Sequence, residues 1–362
     1  MLYRIKTELY RVRTFIARSK KNGLSLPYIL FIHIPRAFNT LLYLKLAKRF
    51  NDKVLSTTIN KIVIRSFHQK QSANLGNHFY VIVMPNTLHY LIPCLRLLPE
   101  DLNVFLVFNG AKHWEQQLIK NEFNNRPSFK LLTLPGSSIN HGEVLNLFFY
   151  ANDKNFGIID HDLYIFDSNI FKQLGFENNQ SMKAIFSGEN QNTKMPYPHT
   201  FFLFFNTPVI KKIMDQYQID ARIYKKLPKN VESPLLKIGL SNRQFIKDYQ
   251  NFFDTLHVIL GLSYTQNLDV DYIDTNDVYH LGGTSMGSQY TKDLSHMYIS
   301  MCFLEHVNNP LLTEKYLPYL SPFENSEQIE KKLSQTAEVR QMKNVLHSIL
   351  ELIHKNSTQD KQ

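Results

Sequence analysis

Two aspartates separated by one residue, Asp160 and Asp162, are the side chains of this sequence best suited to bind a metal ion. They follow the apolar run FGII and precede LYIF, so two acids interrupt a stretch that would otherwise be buried. Residues i and i+2 of an extended segment point to the same side. Two carboxylates in that arrangement can bind one Mg²⁺ or Mn²⁺ together with phosphate oxygens of a substrate. A solvated turn at the end of a strand is the alternative, because aspartate is common in turns.

The elements that must position these aspartates are predicted by the pattern of apolar residues. Runs typical of buried strands cover Phe79–Met84, Asn103–Phe108, Phe129–Leu134 and Phe156–Ile159, and helical spacing covers Leu88–Leu98, Lys112–Asn124 and His141–Ala151. Short apolar strands separated by helices predict a parallel sheet with helices on both faces. Ligands bind such sheets at the carboxyl ends of the strands. Pro85, Asn86 and Asn109 fall at those ends, as do the two aspartates.

Beyond residue 166 the pattern of apolar residues is less regular. It predicts strands at Thr200–Asn206, Val270–Asp274 and Val278–Leu281, and helices at Pro208–Tyr217, within Gln244–Leu262, at Leu294–Val307 and from Glu324 onward. The sequence therefore predicts that the α/β part of the chain is followed by a helical tail.

Two stretches of this sequence resemble a known family of enzymes. The segment VIVMPNTLHYLIPCLRLLPEDLNVFLVFNG resembles the opening of family 2-type GT-A glycosyltransferases, in which a strand ends in a proline, a helix follows and a second strand ends in a small polar turn. The stretch HGEVLNLFFYANDKNFGIIDHDLYIFDSNIF resembles the next section of that family, including its D-x-D motif. The resemblance covers residues 78–175 and, more loosely, the following hundred.

The resemblance implies a fold and a division of the chain. The fold is α/β of the GT-A (Rossmann-like) type, with a mostly parallel central sheet, helices on both faces, a basic helical N-terminal extension and a helical C-terminal tail. The extension covers 1–75, the catalytic domain 76–310 and the tail 311–362. Within the catalytic domain, 76–165 is the half that binds a nucleotide-sugar and 166–310 is the half that binds an acceptor.

The resemblance also implies a nucleotide-diphospho-sugar as donor, held through Mn²⁺ or Mg²⁺. Asp162 then binds the metal, and Asp160 binds the metal or the donor ribose. Pro85, Asn86 and Asn109 lie near the base. Family members usually have an acidic residue where Phe108-Asn109 stands here. Which nucleobase is recognised, and whether Asn109 recognises it, therefore stays open.

The sequence YHLGGTS contains the third expected metal ligand. In several GT-A families a histidine near the end of the domain completes the metal site, and His280 resembles that ligand. Gly282 and Gly283 allow backbone N–H groups to approach the diphosphate, with Thr284 and Ser285 beside them. The alternative is a flexible turn after an edge strand, in which His280 is only hydrogen bonded.

Asp254 is the candidate catalytic base. An inverting enzyme needs a carboxylate to accept the proton of the acceptor hydroxyl, and in the resembled family that residue typically starts a helix. Asp254 precedes the apolar run LHVILGL, which fits this position. Aspartate is also a favoured N-cap residue, so the alternative role of Asp254 is to cap that helix.

Several further side chains are candidates with weaker support. Alternatives to Asp254 as the base are Asp248, Glu189 and His199. Residues Tyr197, Pro198 and His199 either line the acceptor pocket or belong to the core. Trp114 either stacks on a nucleobase or packs on its neighbours, and His141 and His257 are expected to have structural roles.

The positive charge of the chain is concentrated at its N-terminus. Residues 1–70 contain fifteen Lys or Arg and only two acids, within a chain of net charge +10. Residues 1–25 alternate cationic and apolar side chains, which is typical of a helix lying on an anionic membrane or packed on its own domain. Nucleic acid is the less favoured polyanionic partner.

The number of cysteines and the length of the apolar runs restrict the cellular compartment and the class of protein. The two cysteines, Cys94 and Cys302, build neither a disulfide framework nor a zinc cluster. No secretory signal or run of about 18–20 apolar residues is present. We therefore expect a cytoplasmic location, in solution or peripheral on the inner face of the cytoplasmic membrane.

The sequence thus predicts a metal-dependent, inverting hexosyltransferase that acts on a glycan or lipid-linked acceptor such as a cell-envelope polysaccharide. Two alternatives stay open. A sugar-nucleotide nucleotidyltransferase shares the fold neighbourhood, although the segment MPNTLHYL lacks the Gly-rich basic loop usual in that class. A non-catalytic binding protein with a GT-A-like domain is the other.

Overall fold

A computed structural model of the 362-residue chain describes residues 13, 16, 17, 20, 25–35, 42, 58–71, 76–136, 138–190, 193–247, 250–275, 277–284 and 292–359. Most of the basic segment 1–25 lies outside these residues, so its predicted role stays a prediction. Within the part of the chain that is described, no helix has both the length and the apolar character needed to cross a membrane.

The chain divides into two compact units. The sheet unit comprises Lys48–Met84 and Leu98–Val278. The helical unit comprises Met1–Ala47, Pro85–Leu97 and Tyr279–Gln362.

The strands confirm the predicted α/β class. They are β1 (His78–Val83), β2 (Asn103–Asn109), β3 (Phe129–Leu134), β4 (Phe156–Ile159), β5 (Leu163–Ile165), β6 (Gln180–Ala184), β7 (Ser187–Glu189), β8 (Pro196–Pro198), β9 (Phe202–Phe205), β10 (Asp269–Tyr272) and β11 (Val278–His280). Seven of them form one sheet in the order β10-β6-β9-β4-β1-β2-β3. Its neighbours are parallel except at β9, which runs antiparallel to both β4 and β6. The sheet is therefore mostly parallel, as predicted.

The helices lie in both units. They are α1 (Asn60–Gln71), α2 (Leu88–Leu97), α3 (His113–Glu122), α4 (His141–Ala151), α5 (Thr207–Tyr217), α6 (Lys229–Leu236), α7 (His257–Thr265), α8 (Leu294–Val307), α9 (Pro310–Leu320), α10 (Ser326–Glu330) and α11 (Ala337–Gln359). Shorter helical pieces cover Leu26–Tyr28, Ile29–His33 and Ser168–Lys172. Helices α2 and α8–α11 belong to the helical unit, and α1 and α3–α7 belong to the sheet unit.

The central strands are buried along their whole length because both faces of the sheet are covered. Every residue of β1, β4 and β9 is buried, which explains their continuous apolar sequences. Tyr80 of β1 stacks on Phe148 of α4 with 3.8 Å between ring centroids. Gly157 of β4 makes room for the ring of Phe79, since a Cβ there would lie 2.2 Å from a carbon of that ring.

A buried hydrogen-bond network joins α1 to the first strand. The Asn152 amide donates to the Tyr80 hydroxyl at 2.8 Å, so that hydroxyl donates its own proton to Nε2 of His68. Nε2 of His78 lies 2.9 Å from Oδ1 of the same asparagine. Burial lowers the pKa of His68 to about 4, with His78 adding to the effect, so both rings are neutral near pH 7.

Three examples show where the predicted element pattern is incomplete. The helix predicted within Gln244–Leu262 begins only at His257, because Phe253 forms two backbone hydrogen bonds with Tyr224, of 2.8 and 2.9 Å, and Leu256 has a left-handed φ of 68°. The helical tail from Glu324 is two helices, α10 and α11. Strand β6 was not predicted because its sequence is polar. Most of the strand is nevertheless buried, and its Lys183 pairs with Asp271.

Candidate functional site

The two aspartates lie where β4 ends, in a turn tied to the start of β9. The Asp160 N–H donates to the carbonyl of Phe201 at 2.9 Å, and the Leu163 N–H donates to the carbonyl of Asp160 at 3.2 Å. Asp162 is 2% exposed and Asp160 is half-buried. A carboxylate oxygen of one aspartate lies within 4.8 Å of a carboxylate oxygen of the other.

This arrangement has a clear electrostatic consequence. Two carboxylates this close, one of them almost fully removed from water, disfavour each other's ionised form. A divalent cation between them removes that penalty, and carboxylate oxygens are the ligands that Mg²⁺ and Mn²⁺ prefer. The pair therefore fits the predicted metal.

Asn109 lies at the carboxyl end of β2, as predicted, but its side chain is engaged with the protein. Its Oδ1 accepts from the Ile139 N–H at 2.9 Å, and its Nδ2 donates to the Ile139 carbonyl, also at 2.9 Å. The side chain is 1% exposed. The next residue, Gly110, has φ +82°, and a Cβ there would lie 2.5 Å from the backbone nitrogen of Ser138. Both residues thus hold the loop before α4 against the end of β2.

The remaining predicted donor residues belong to the helical unit. Pro85 and Asn86 are half-buried, and Asn86 has a left-handed φ of 60°, which asparagine tolerates better than most residues. The Thr87 carbonyl after them accepts from the N–H groups of Tyr90 and Leu91 and so begins α2.

The segment after β11 has the backbone that its glycines predict. His280 ends β11 and is half-buried. Gly282 and Gly283 have φ values of +68° and +65°, which a side chain would strain. Thr284 is buried, and Ser285 lies outside the described residues.

Asp254 is not the cap of α7. The helix begins at His257 with Leu256 as its cap residue, and no side chain caps it. The carboxylate of Asp254 instead accepts from the Thr255 N–H at 2.9 Å and from Nζ of Lys247 at 3.2 Å. Burial by itself raises the pKa of Asp254, but the Thr255 hydrogen bond and the charge of Lys247 outweigh it and the pKa falls below its ordinary value. Asp254 is therefore an ionised carboxylate at neutral pH.

Two histidines, His257 and His141, adjoin this carboxylate, and a third, His161, interacts with His141. His257 accepts the Asp254 N–H at its Nδ1, at 3.1 Å, and burial lowers its pKa. Burial lowers the pKa of His141 to about 4, while the Asp254 carboxylate opposes that shift and His161 adds to it. His161 stands between the two metal-binding candidates in the sequence. Within the sheet unit, His141 therefore interacts electrostatically both with Asp254 and with His161 of the aspartate turn.

The predicted acceptor residues adjoin the same cluster. The ring of Tyr197 lies 6.3 Å from that of His257 and 6.0 Å from that of His199. His199 stacks on Phe201 at 5.3 Å, next to the backbone group that binds Asp160. Glu189, an alternative base, is exposed on β7 of the hairpin β7–β8.

Asp248 and Trp114 are the two remaining candidates. Asp248 lies outside the described residues. Trp114 is half-buried in the first turn of α3, which follows β2.

Two features were not predicted from the sequence. His141 was expected to be structural, yet it adjoins Asp254. The fold brings these two residues together, and their separation in the sequence does not indicate it. In the helical unit, Lys292 is buried, donates to Oγ of Ser300 at 3.1 Å and lies 5.8 Å from the ring centroid of Tyr90. Burial lowers the pKa of this lysine to about 8. No motif in the sequence marks it.

Comparison with known proteins identifies the class of domain. Residues 57–210 match the family model described as the StrH glycosyltransferase N-terminal domain. The matched part contains β1 to β9 and both aspartates. No curated protein matches the chain.

Solved structures with weak similarity include three proteins. TarS 1–349 of S. aureus is 10% identical, with a TM-score of 0.35 over 77% of this chain and 81% of that one. The mannosyltransferase PcManGT of Pyrobaculum calidifontis is 9% identical, with a TM-score of 0.35 over 84% and 96%. The glycosyltransferase GlyE of Streptococcus pneumoniae TIGR4 is 11% identical, with a TM-score of 0.37 over 78% and 64%.

The family match confirms the resemblance to glycosyltransferases that the sequence predicted, and the matched residues include the D-x-D motif at Asp160 and Asp162. Over the matched residues, the chain is glycosyltransferase-like in sequence and carries six of the seven strands of the central sheet.

Proposed function

We propose that this chain, whose residues 57–210 match a glycosyltransferase domain, transfers a hexose from a nucleotide-diphospho-sugar to a glycan or lipid-linked acceptor with the help of Mn²⁺ or Mg²⁺. One observation carries the proposal. Asp160 and Asp162 bring two carboxylates within 4.8 Å of each other at the carboxyl end of a parallel strand, where ligands of such sheets bind.

Asp160, Asp162 and His280 are the proposed metal ligands. The short chain segment from Asp277 to His280 supports including His280 among the ligands. The Phe166 N–H donates to the Asp277 carbonyl at 2.9 Å, and His280 follows Asp277 by only three residues, a span of about 10 Å at most. When bound, the ion neutralises the diphosphate as charge builds on the leaving group.

The residues around the donor are proposed to bind its nucleobase and its diphosphate. Pro85 and Asn86 border the nucleobase. Asn109 contributes by fixing the loop at Ile139, since both ends of its amide are engaged there. The segment from Gly282 to Ser285 offers N–H groups to the diphosphate because its two glycines adopt left-handed backbone conformations.

Asp254 is the proposed base of an inverting transfer. It is ionised at neutral pH because Lys247 and the Thr255 N–H stabilise its charged form. It accepts the proton of the acceptor hydroxyl as that oxygen attacks the anomeric carbon. His141 and His257, both neutral, border this carboxylate without adding positive charge to it.

The acceptor half is proposed to include Tyr197, whose ring adjoins that of His257 next to the base, and His199, whose ring adjoins that of Tyr197. The cations of residues 1–50 are proposed to hold the enzyme on an anionic membrane, where a lipid-linked or cell-envelope glycan acceptor is found.

The metal assignment is tested by thermal unfolding with UDP-, GDP-, CMP- and dTDP-sugars, with and without Mn²⁺. One class of nucleotide should stabilise the unaltered protein, by about 2.7 kcal/mol at a concentration of a hundred times Kd. We expect EDTA to remove this stabilisation and Asp162→Asn, which keeps the size of the side chain, to abolish it.

The matched control is Asp153→Asn. Asp153 precedes the same strand at its other end and pairs with Lys211 at 2.7 Å, on the surface. It should keep the full nucleotide-dependent shift. If Asp162→Asn binds nucleotide and metal as well as the control, the proposed metal site is refuted.

A further inference from the structure

A cavity of about 340 Å³ lies within the helical unit. Its size falls inside the range of about 300–1,000 Å³ typical of small-molecule sites. Its lining is formed by Tyr279, His280, Leu281, Ile299, Glu338, Gln341, Met342, Val345, Leu346 and Ile349.

The lining is polar at one part and aliphatic elsewhere. On α11 the lining positions recur every three or four residues, so one face of this helix forms a wall of the cavity. Glu338 and Gln341 lie in the first turns of α11, and the aliphatic positions lie further along it. Leu346 and Ile349 are 2% and 1% exposed, whereas Val345 is 43% exposed. A deep aliphatic wall therefore has an accessible edge.

The position of the cavity relates it to the proposed chemistry. His280, the proposed third metal ligand, and its neighbours Tyr279 and Leu281 line one side. A molecule in the cavity thus reaches a residue of the proposed reaction centre. A sugar ring alone is a poor occupant, because most of the wall cannot hydrogen bond to hydroxyl groups.

We propose that this cavity binds the aliphatic chain next to the accepting sugar of a lipid-linked acceptor. This assignment rests on the proposed function and names its acceptor class. The sugar lies toward His280 and Glu338, and the chain lies along Met342, Val345 and Ile349. Each methylene that enters the cavity leaves water, which tightens binding by about fourfold.

The test uses the full chain with Mn²⁺ and the nucleotide class found above, and n-alkyl β-D-glucosides from methyl to octyl below their micelle concentrations. Isothermal titration should show affinity rising about fourfold per methylene until the cavity is filled. Val345→Asp places a charge at the accessible edge and should remove most of this dependence on chain length. The residue is exposed, so the fold should tolerate the change.

Leu311→Asp is the matched control. Leu311 is an exposed aliphatic residue of α9, 38% accessible, and it does not line the cavity. It should keep the dependence on chain length, and both variants should keep metal-dependent nucleotide binding.

Each other outcome is decisive. Unaltered nucleotide binding with no dependence on chain length overturns the aliphatic-chain proposal alone, as does a dependence that Val345→Asp leaves intact. Absence of metal-dependent nucleotide binding in the unaltered chain overturns the proposed function and this assignment with it.

Discussion

Replacing Asn109 with alanine tests whether this residue holds the loop before α4. The substitution removes both hydrogen bonds between the Asn109 amide and the backbone of Ile139. In one, Oδ1 accepts from the Ile139 N–H, and in the other, Nδ2 donates to the Ile139 carbonyl, each at 2.9 Å. Each bond contributes about 1 kcal/mol net. Since the side chain is 1% exposed, water does not replace them easily. Local opening of the loop should therefore become easier by roughly 2 kcal/mol, or about 30-fold.

Hydrogen exchange followed by mass spectrometry measures this opening directly. Peptides that cover residues 138–142 should exchange about 30-fold faster in Asn109→Ala, while peptides from β1 should exchange as before. Asn103→Ala is the matched control, because Asn103 begins the same strand and is half-buried. Exchange at Ile139 that is equal in the two variants would refute the role given to the Asn109 amide.

Two further predictions concern titratable groups. Stability should fall as the pH drops from 6.5 to 4, by up to about 3 kcal/mol for His68 alone, because its folded pKa is about 4 and the unfolded chain takes up the proton first. Urea unfolding followed by circular dichroism should show a smaller fall for His68→Gln, which still accepts from Tyr80; parallel pH profiles would contradict this. Asp254→Asn should slow sugar transfer about 100-fold without changing metal-dependent nucleotide affinity, with Asp153→Asn as control. A transfer rate equal to that of the control, measured by release of the nucleoside diphosphate, would exclude Asp254 as the base.

The part of the chain up to residue 165 was predictable because its signals are local. Strands β1 to β4 are continuous apolar runs bounded by turn residues, and their predicted bounds differ from the observed ones by no more than a residue or two. The aspartate pair was recognisable for the same reason, since two acids next to a buried strand require compensation.

The part of the chain after residue 165 was harder to predict because long-range pairing overrides local pattern there. The helix predicted within Gln244–Leu262 begins only at His257, since the backbone of Phe253 is paired with that of Tyr224, 29 residues earlier. Strand β6 looked too polar, because the partner of Lys183 is Asp271, far away in the sequence. The proximity of His141 to Asp254 likewise arises only when the chain folds.

The reversed direction of β9 has a consequence for how specificity can change. Because β9 alone runs against its neighbours, it enters the sheet at the edge where β4 leaves it, and the carbonyl of Phe201 binds the N–H of Asp160 there. Residues 199–201 therefore form the rim of the aspartate turn without belonging to any parallel strand. Lengthening or shortening the hairpin before them would reshape the entrance proposed for the acceptor, while β4, which precedes the aspartates, keeps its register. Diversity of acceptors among proteins with this architecture is thus expected to concentrate in that hairpin.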